Sequence, residues 1–280
     1  MDYINYLLNN NGYNEAKNVI WPIINNDLNY VAQYWNETGY DLWEEVAGSS
    51  FFTVMAQYRA LVQGSHMAAR LGVGIPSAAV IPQISCYLES YFWNATGSWV
   101  TANINTTTDR SGIDANPLLA VSCTCTSLLF STIQMSQITT DHFQSINNFD
   151  IDGSCRGFQP CDSRMLSQHK VYVDAFRAIY PINGGIAANA AVATGRYPED
   201  TYYGGNPWYL CTLSAAELLY DAAAQFRRQG RLVIDNISLA FLQQLYPSAT
   251  IGTYQAPSQY SPGGPCWNNW GMSPWGGHTW

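Results

Sequence analysis

The run NPWYLCTLSAAELLYDAAAQFRRQG, positions 206–230, reads as a helix with both ends marked, and segments of this kind constrain the fold more than anything else in the chain. Asn206 is suited to cap it, Pro207 to its first turn, Arg227 and Arg228 to its last turn, and Gly230 to its stop. SSFFTVMAQYRALVQGSHMAARLG starts at a Ser49/Ser50 cap and stops at Gly72 in the same way. Residues 14–35 have near-helical apolar spacing, with Pro22 early enough for a first turn or a kink. SAAVIPQISCYLESYFW, SQHKVYVDAFRAIY and IDNISLAFLQQLYP complete the series. Alternating patterns are short, GSWVTANI being the best. The expectation is an all-α fold whose long Gly- and Tyr-rich loops place any site at helix ends.

Two stretches break this pattern. Residues 121–140, VSCTCTSLLFSTIQMSQITT, have no charge and little helical period, and their Ser, Thr and Gln content argues against a membrane span. The tail after Tyr254 has no Asp, Glu, Lys or Arg and is rich in Pro, Gly and Trp. The expected organisation is a domain over 1–250, interrupted at 121–144, followed by an aberrant tail over 251–280.

Charge narrows the partners. With 12 Lys+Arg against 20 Asp+Glu and no basic stripe, neither nucleic acid nor an anionic membrane is expected. Abundant Tyr and Trp beside plentiful amides and hydroxyls suit a neutral, polyhydroxylated ligand instead. Asn36, Asn94, Asn105 and Asn236 lie in Asn-x-Ser/Thr sequons, which matter in a secreted protein. No basic region followed by an apolar run opens the chain, so no signal peptide is read there. That mismatch suggests a start partway through a longer protein. Cys155 and Cys161 bracket the short loop CRGFQPC and are expected to pair. No metal-ligand spacing occurs among the 7 cysteines and 4 histidines, so neither metal nor cofactor is expected.

LGVGIPS lacks a third glycine and follows a helix, so it is no dinucleotide loop. Carboxylates among aromatics remain. In YDLWEEVAGSS, Glu44 and Glu45 follow Trp43. They are either a solvated pair in a helix's first turn, where the macrodipole favours negative charge, or a site in which indole packing raises one carboxyl's pKa. In the second case the more buried glutamate keeps its proton and serves as general acid. In GRYPEDTYYGGNPW, Arg196, Glu199 and Asp200 lie among Tyr197, Tyr202, Tyr203 and Trp208. That loop is either tied by an internal salt bridge or forms a cradle for a sugar.

The segments YVAQYWNETGYDLWEEVAGSSFF, DRSGIDAN, CRGFQPC, HKVYVDAFRAIYPIN, ATGRYPEDTYYGGNPWYLCTL and AAELLYDA resemble, in this order, the fungal glucoamylases of glycoside hydrolase family 15. The resemblance runs from about residue 6 to 253, interrupted near 121–144. It implies an incomplete (α/α)6 toroid that acts as a secreted monomer on starch and maltooligosaccharides. The implied reaction removes terminal α-1,4-linked glucose with inversion. By position, Glu44 is the general acid and Glu45 contacts the leaving sugar. Arg196 and Asp200 hold substrate, and Trp43, Tyr197 and Trp208 line the subsites. Asn36 matches a glycosylated position in relatives.

Departures from the family pattern are equally specific. The second carboxylate, in a Glu-Gln-Tyr or Glu-Gln-Phe motif, has no counterpart, and neither has the early WTRD-like motif nor a bridging partner for Cys86. Ala47 stands where the family often has Asn. Residues 121–144 have ends compatible with a translated intron, and removing them joins LLA to SINNFDID. The alternative to hydrolysis is a glucan-binding piece without turnover. A terpene cyclase is set aside for want of Asp-rich metal motifs, and a trehalase-like hydrolase because the order of the two motifs argues against it.

Overall fold

The computed structural model describes residues 2–122 and 155–256. Helix α1 (Asp2–Asn9) is followed by a turn of helix at Tyr13–Glu15 and a π-helical stretch at Ala16–Ile20, which run into α2 (Trp21–Tyr34). Pro22 lies in the first turn of α2, directly after the π-helical stretch, and having no N–H it leaves a carbonyl of that preceding turn without a backbone donor. A hairpin of β1 (Gly39–Tyr40) and β2 (Ala47–Ser50) then feeds α3 (Phe51–Leu71). Beyond a 3-10 turn at Pro76–Val80 come α4 (Ile81–Tyr91), β3 (Trp93–Asn94), β4 (Trp99–Val100), β5 (Asn103–Ile104) and α5 (Asn116–Ser122). The second described stretch carries α6 (Ser163–Phe176), α7 (Tyr209–Gln229), β6 (Arg231–Ile234), α8 (Leu239–Leu245) and β7 (Gly252–Gln255). Strands are two to four residues long and antiparallel. β2 joins β1 to β5, with Tyr40 opposite Ala47 and Ser49 opposite Ile104.

Both glycine stops hold. Gly72 (φ 60°) and Gly230 (φ 64°) adopt the left-handed conformation that ends α3 and α7. Arg227 and Arg228 occupy the last turn of α7, where cations meet the dipole's negative end. Ser50 is the extended residue before α3, although its hydroxyl makes no capping bond.

Other expectations are corrected. α7 begins at Tyr209 with Trp208 as the extended flanking residue, so Asn206 does not cap it; the Asn206 amide instead donates to the Tyr203 carbonyl. α6 starts earlier than the pattern suggested, at a real cap: Asp162 accepts from the Arg164 backbone N–H at 2.9 Å. IDNISLAFLQQLYP is not one helix. Ile234 ends β6, and the Asp235 carboxylate accepts from the N–H groups of Ile237 and Ser238, turning the chain before α8. Glu44 and Glu45 lie in the turn between β1 and β2, not at a helix start.

The main core centres on Phe51, whose ring meets Phe92 at 5.4 Å and Phe158 at 5.1 Å, both edge-on. Met55, Leu118, Tyr172 and Phe176 are fully buried around it, each contributing about 1.5–3 kcal/mol. α3 packs on α2, α4 and α5, and α5 packs on α7. Cys155 and Cys161 are disulfide-bonded, as expected, with a Cα separation of 5.0 Å. Cys86 is free and exposed, and Cys211 is free and buried. No helix among the described residues is long and apolar enough to cross a membrane. Residues 123–140 of the uncharged run and 257–280 of the tail lie outside the described residues, while the first residues of the tail form β7.

Candidate active site

The β1–β2 turn is organised by a side chain that sequence reasoning missed. Asp41 is buried, and its carboxylate accepts from the backbone N–H groups of Glu45 at 2.9 Å and Val46 at 3.1 Å. The Glu44 N–H donates to the Asp41 carbonyl at 3.0 Å. This folds the four residues after Asp41 into a tight loop and puts Glu44 at φ 58°, a left-handed conformation unusual for a side chain of its kind.

The two glutamates leave that loop into different surroundings. Glu44 is exposed, and its carboxylate has no hydrogen-bond or ion-pair partner among the described residues. The expectation that indole packing desolvates it is therefore not met in this chain, because the turn directs it outward. Glu45, with a side chain 29% exposed, is bound from three directions. The Arg196 Nη1 donates to it at 2.7 Å, the Tyr197 hydroxyl at 2.5 Å and the Arg110 Nη2 at 2.6 Å. Partial burial alone raises its pKa, but the bonds from Tyr197, Arg196 and Arg110 outweigh that and hold the carboxyl below the usual glutamate value. Glu45 is thus a fixed anion.

Arg196 is the centre of the site. It grips Asp200 through two parallel bonds, Nε–Oδ2 at 2.8 Å and Nη2–Oδ1 at 2.6 Å, with both side chains almost fully buried. Four rings surround its guanidinium: Tyr202 at 5.0 Å, Tyr197 at 5.1 Å, Trp208 at 5.2 Å and Trp43 at 5.4 Å. The internal salt bridge foreseen for this loop exists, and Arg196 carries it one step further to Glu45. Glycine at 195 permits the approach, since a Cβ there would lie 2.0 Å from the Tyr180 hydroxyl. Tyr172, buried in α6, donates to the Gly195 carbonyl at 2.5 Å and anchors the loop to the core.

Trp43 and Trp208 stand 6.0 Å apart at 58°, so the structure brings these two rings together. A second missed residue positions Trp43: its Nε1 donates to both oxygens of buried Asp114, at 2.9 and 3.2 Å. Asp114 also accepts from the Asn116 N–H at 2.8 Å, yet burial dominates and pushes its carboxyl up to about 8. Arg110, also missed, stacks on the Tyr197 ring at 3.7 Å while it pairs with Glu45. The signal for both lay in DRSGIDAN, a polar run of two acids and an arginine that no helix period explains. Glu199 joins the two loops by accepting from the Ser111 N–H at 2.9 Å.

The sequons differ in access. Asn36, Asn105 and Asn236 are exposed, whereas Asn94 is half-buried and its side-chain oxygen accepts from the Gly97 N–H at 2.9 Å. The Asn105 amide reaches Tyr87 at 3.2 Å and Ser49 at 3.4 Å.

Residues 2–263 match the family described as glycosyl hydrolases family 15. The chain is 44% identical over 264 residues to glucoamylase P of Amorphotheca resinae, covering 94% of this chain and 38% of that protein. Among solved structures, the Hypocrea jecorina family 15 glucoamylase superposes with a TM-score of 0.77 at 48% identity, over 92% of this chain and 39% of its own. The Hormoconis resinae glucoamylase gives 0.78 at 44% identity, over 93% and 40%. The chain therefore spans about two fifths of the length of the relatives it matches. Its helical architecture is that of an incomplete (α/α)6 toroid of the glucoamylase type. With the converging motifs, this architecture and a family match over nearly its whole length, the chain belongs to glycosyl hydrolases family 15.

Proposed function

We propose that this chain carries one half of a glucoamylase site, acting on the non-reducing ends of starch and maltooligosaccharides in a secreted, monomeric enzyme. The observation that carries the reading is the fixed anion: Glu45, next to exposed Glu44, is clamped by Arg110, Tyr197 and an Arg196 that itself meets the rings of Trp43 and Trp208. Such a frame offers stacking faces to a sugar ring and charged acceptors to its hydroxyls. Glu44 is the general acid that protonates the bridging oxygen, and the arriving sugar supplies the desolvation that the free turn lacks. Glu45 accepts hydroxyls of the leaving sugar, while Arg196 and Asp200 hold the neighbouring ring. The exposed sequons at Asn36, Asn105 and Asn236, and the half-buried one at Asn94, are the glycosylation positions of the secreted form.

Inversion requires a second carboxylate, roughly 6.5–9.5 Å from the first, to direct water onto the opposite face. None of the seven glutamates here is followed by Gln, the family's pattern for that base. This favours a second reading for the 280 residues taken alone: they bind α-glucan without turnover. Calorimetric titration with maltotriose tests it. We expect saturable binding that Trp208→Ala abolishes; absence of saturation in the wild-type chain rejects the site. Steady glucose release from maltose would place a working base within these residues and overturn the half-site reading.

A further inference from the structure

Among the described residues, Asn105 is the sequon asparagine whose side-chain nitrogen bonds an aromatic hydroxyl: its Nδ2 donates to Tyr87 at 3.2 Å. The residue follows β5 directly, and its backbone is held against β2. A Cβ on Gly48 would lie 2.6 Å from the Ile104 carbonyl oxygen and 3.3 Å from that of Asn105. Its φ of 54° is left-handed, a conformation that asparagine tolerates better than most residues. Its side chain is exposed, and the rings next to it form a cluster. The Tyr87 ring meets Tyr91 at 5.1 Å, tilted by 47°, and meets Trp35 and Phe92 edge-on at 5.7 Å each. Phe92 is fully buried, whereas Tyr91 is 63% exposed, so the cluster runs from the core to an uncovered ring one step beyond Tyr87.

We infer that Asn105 carries an N-linked glycan whose first N-acetylglucosamine packs on the Tyr87–Tyr91 rings. The inference rests on the reading of a secreted chain and names what one of its glycans covers. The donor is a lipid-linked oligosaccharyl pyrophosphate. A bond forms from Nδ2 to C1 of the sugar, the C1–O bond breaks, the lipid pyrophosphate leaves, and the Nδ2 proton passes to a base of the transferring enzyme. Nδ2 has two hydrogens, so one remains to reach the Tyr87 hydroxyl. The sugar therefore starts at the edge of the cluster, tethered to an atom already placed there. The C–H face of a pyranose removes apolar ring surface from water while its hydroxyls stay solvated.

The test uses the full 280-residue chain secreted from a glycosylating yeast. Chymotryptic cleavage after Trp99 separates Asn105 from Asn94, and mass spectrometry of the resulting peptide is expected to show Asn105 occupied. Thr107→Ala breaks the sequon at an exposed residue and leaves the left-handed Asn105 in place. It is expected to lower Tm by about 2–4 °C in the secreted chain and to leave Tm unchanged in the same chain made in bacteria without glycan. In a Tyr91→Ala background the secreted chain should lose less than about 1 °C. Trimming the wild-type glycan to its first sugar should preserve Tm, and a fall there overturns the first-sugar contact. An equal fall with and without Tyr91, or with and without glycan, overturns the packing. Asn105 unoccupied beside an occupied Asn36 overturns the inference and leaves the secreted form standing, whereas four unoccupied sequons reject both.

Discussion

Glu44 and Glu45 share a peptide bond and almost nothing else. The carboxylate of one stands exposed on a left-handed turn with no partner among the described residues; that of the other is held by two arginines and a tyrosine. Adjacent carboxylates of the same chemistry therefore take opposite roles because a turn sends successive side chains in different directions. A proton donor has to be free to change charge, and an anchoring acceptor has to be kept from doing so.

The strongest challenge to this contrast is Arg196→Ala. It would strand the nearly fully buried Asp200 carboxylate and loosen Glu45, and we expect a loss of about 3–5 kcal/mol in urea denaturation. A loss below about 1 kcal/mol would mean that the Glu45 clamp is ornamental.

Asp114→Ala comes next. It leaves the Trp43 Nε1 and the Asn116 N–H without an acceptor, at a cost of about 1–3 kcal/mol. Asp114→Asn keeps an acceptor and sharpens the electrostatics. Because the folded-state pKa of Asp114 is raised to about 8, the folded chain binds the extra proton more tightly than the unfolded chain. The stability this contributes is full below the ordinary Asp range and is lost as pH rises through 8. The Asn variant should flatten that part of the stability–pH curve; an unchanged curve would show that Asp114 is already ionised.

Glu45→Gln is a smaller perturbation, about 1 kcal/mol at neutral pH, since its side chain is partly in solvent. Its folded pKa is depressed, so the wild-type advantage exists above the unfolded value and disappears as pH falls through the folded one. Denaturation at neutral and at strongly acidic pH checks the sign.

Glu44→Gln should change stability by less than about 0.5 kcal/mol. Glu44→Gly should raise it by up to about 1 kcal/mol, because glycine adopts φ 58° without strain. If Glu44→Gln proved as costly as Glu45→Gln, the contrast between the two carboxylates would fail.

Legibility followed distance along the chain. The stops at Gly72 and Gly230, the first-turn Pro22 and the Cys155–Cys161 bridge involve neighbours a few residues apart, and all were readable. The β6–α8 break was not, because an Asp235 turn competes with a helical period that IDNISLAFLQQLYP also satisfies. Within the site, Arg196, Tyr197, Asp200 and Trp208 are legible as a dense local cluster. Arg110 and Asp114 were not legible as site residues, although DRSGIDAN was recognised as a family segment.

By itself, the sequence determined the helical class, the family and the local cluster from Arg196 to Trp208, since each depends on local periodicity or on short motifs. Only the tertiary structure decided which glutamate is bound and which is free, and that Asp114 steadies Trp43. The reason is physical: those bonds join residues 151 and 71 positions apart, and burial and charge depend on what arrives from elsewhere in the chain.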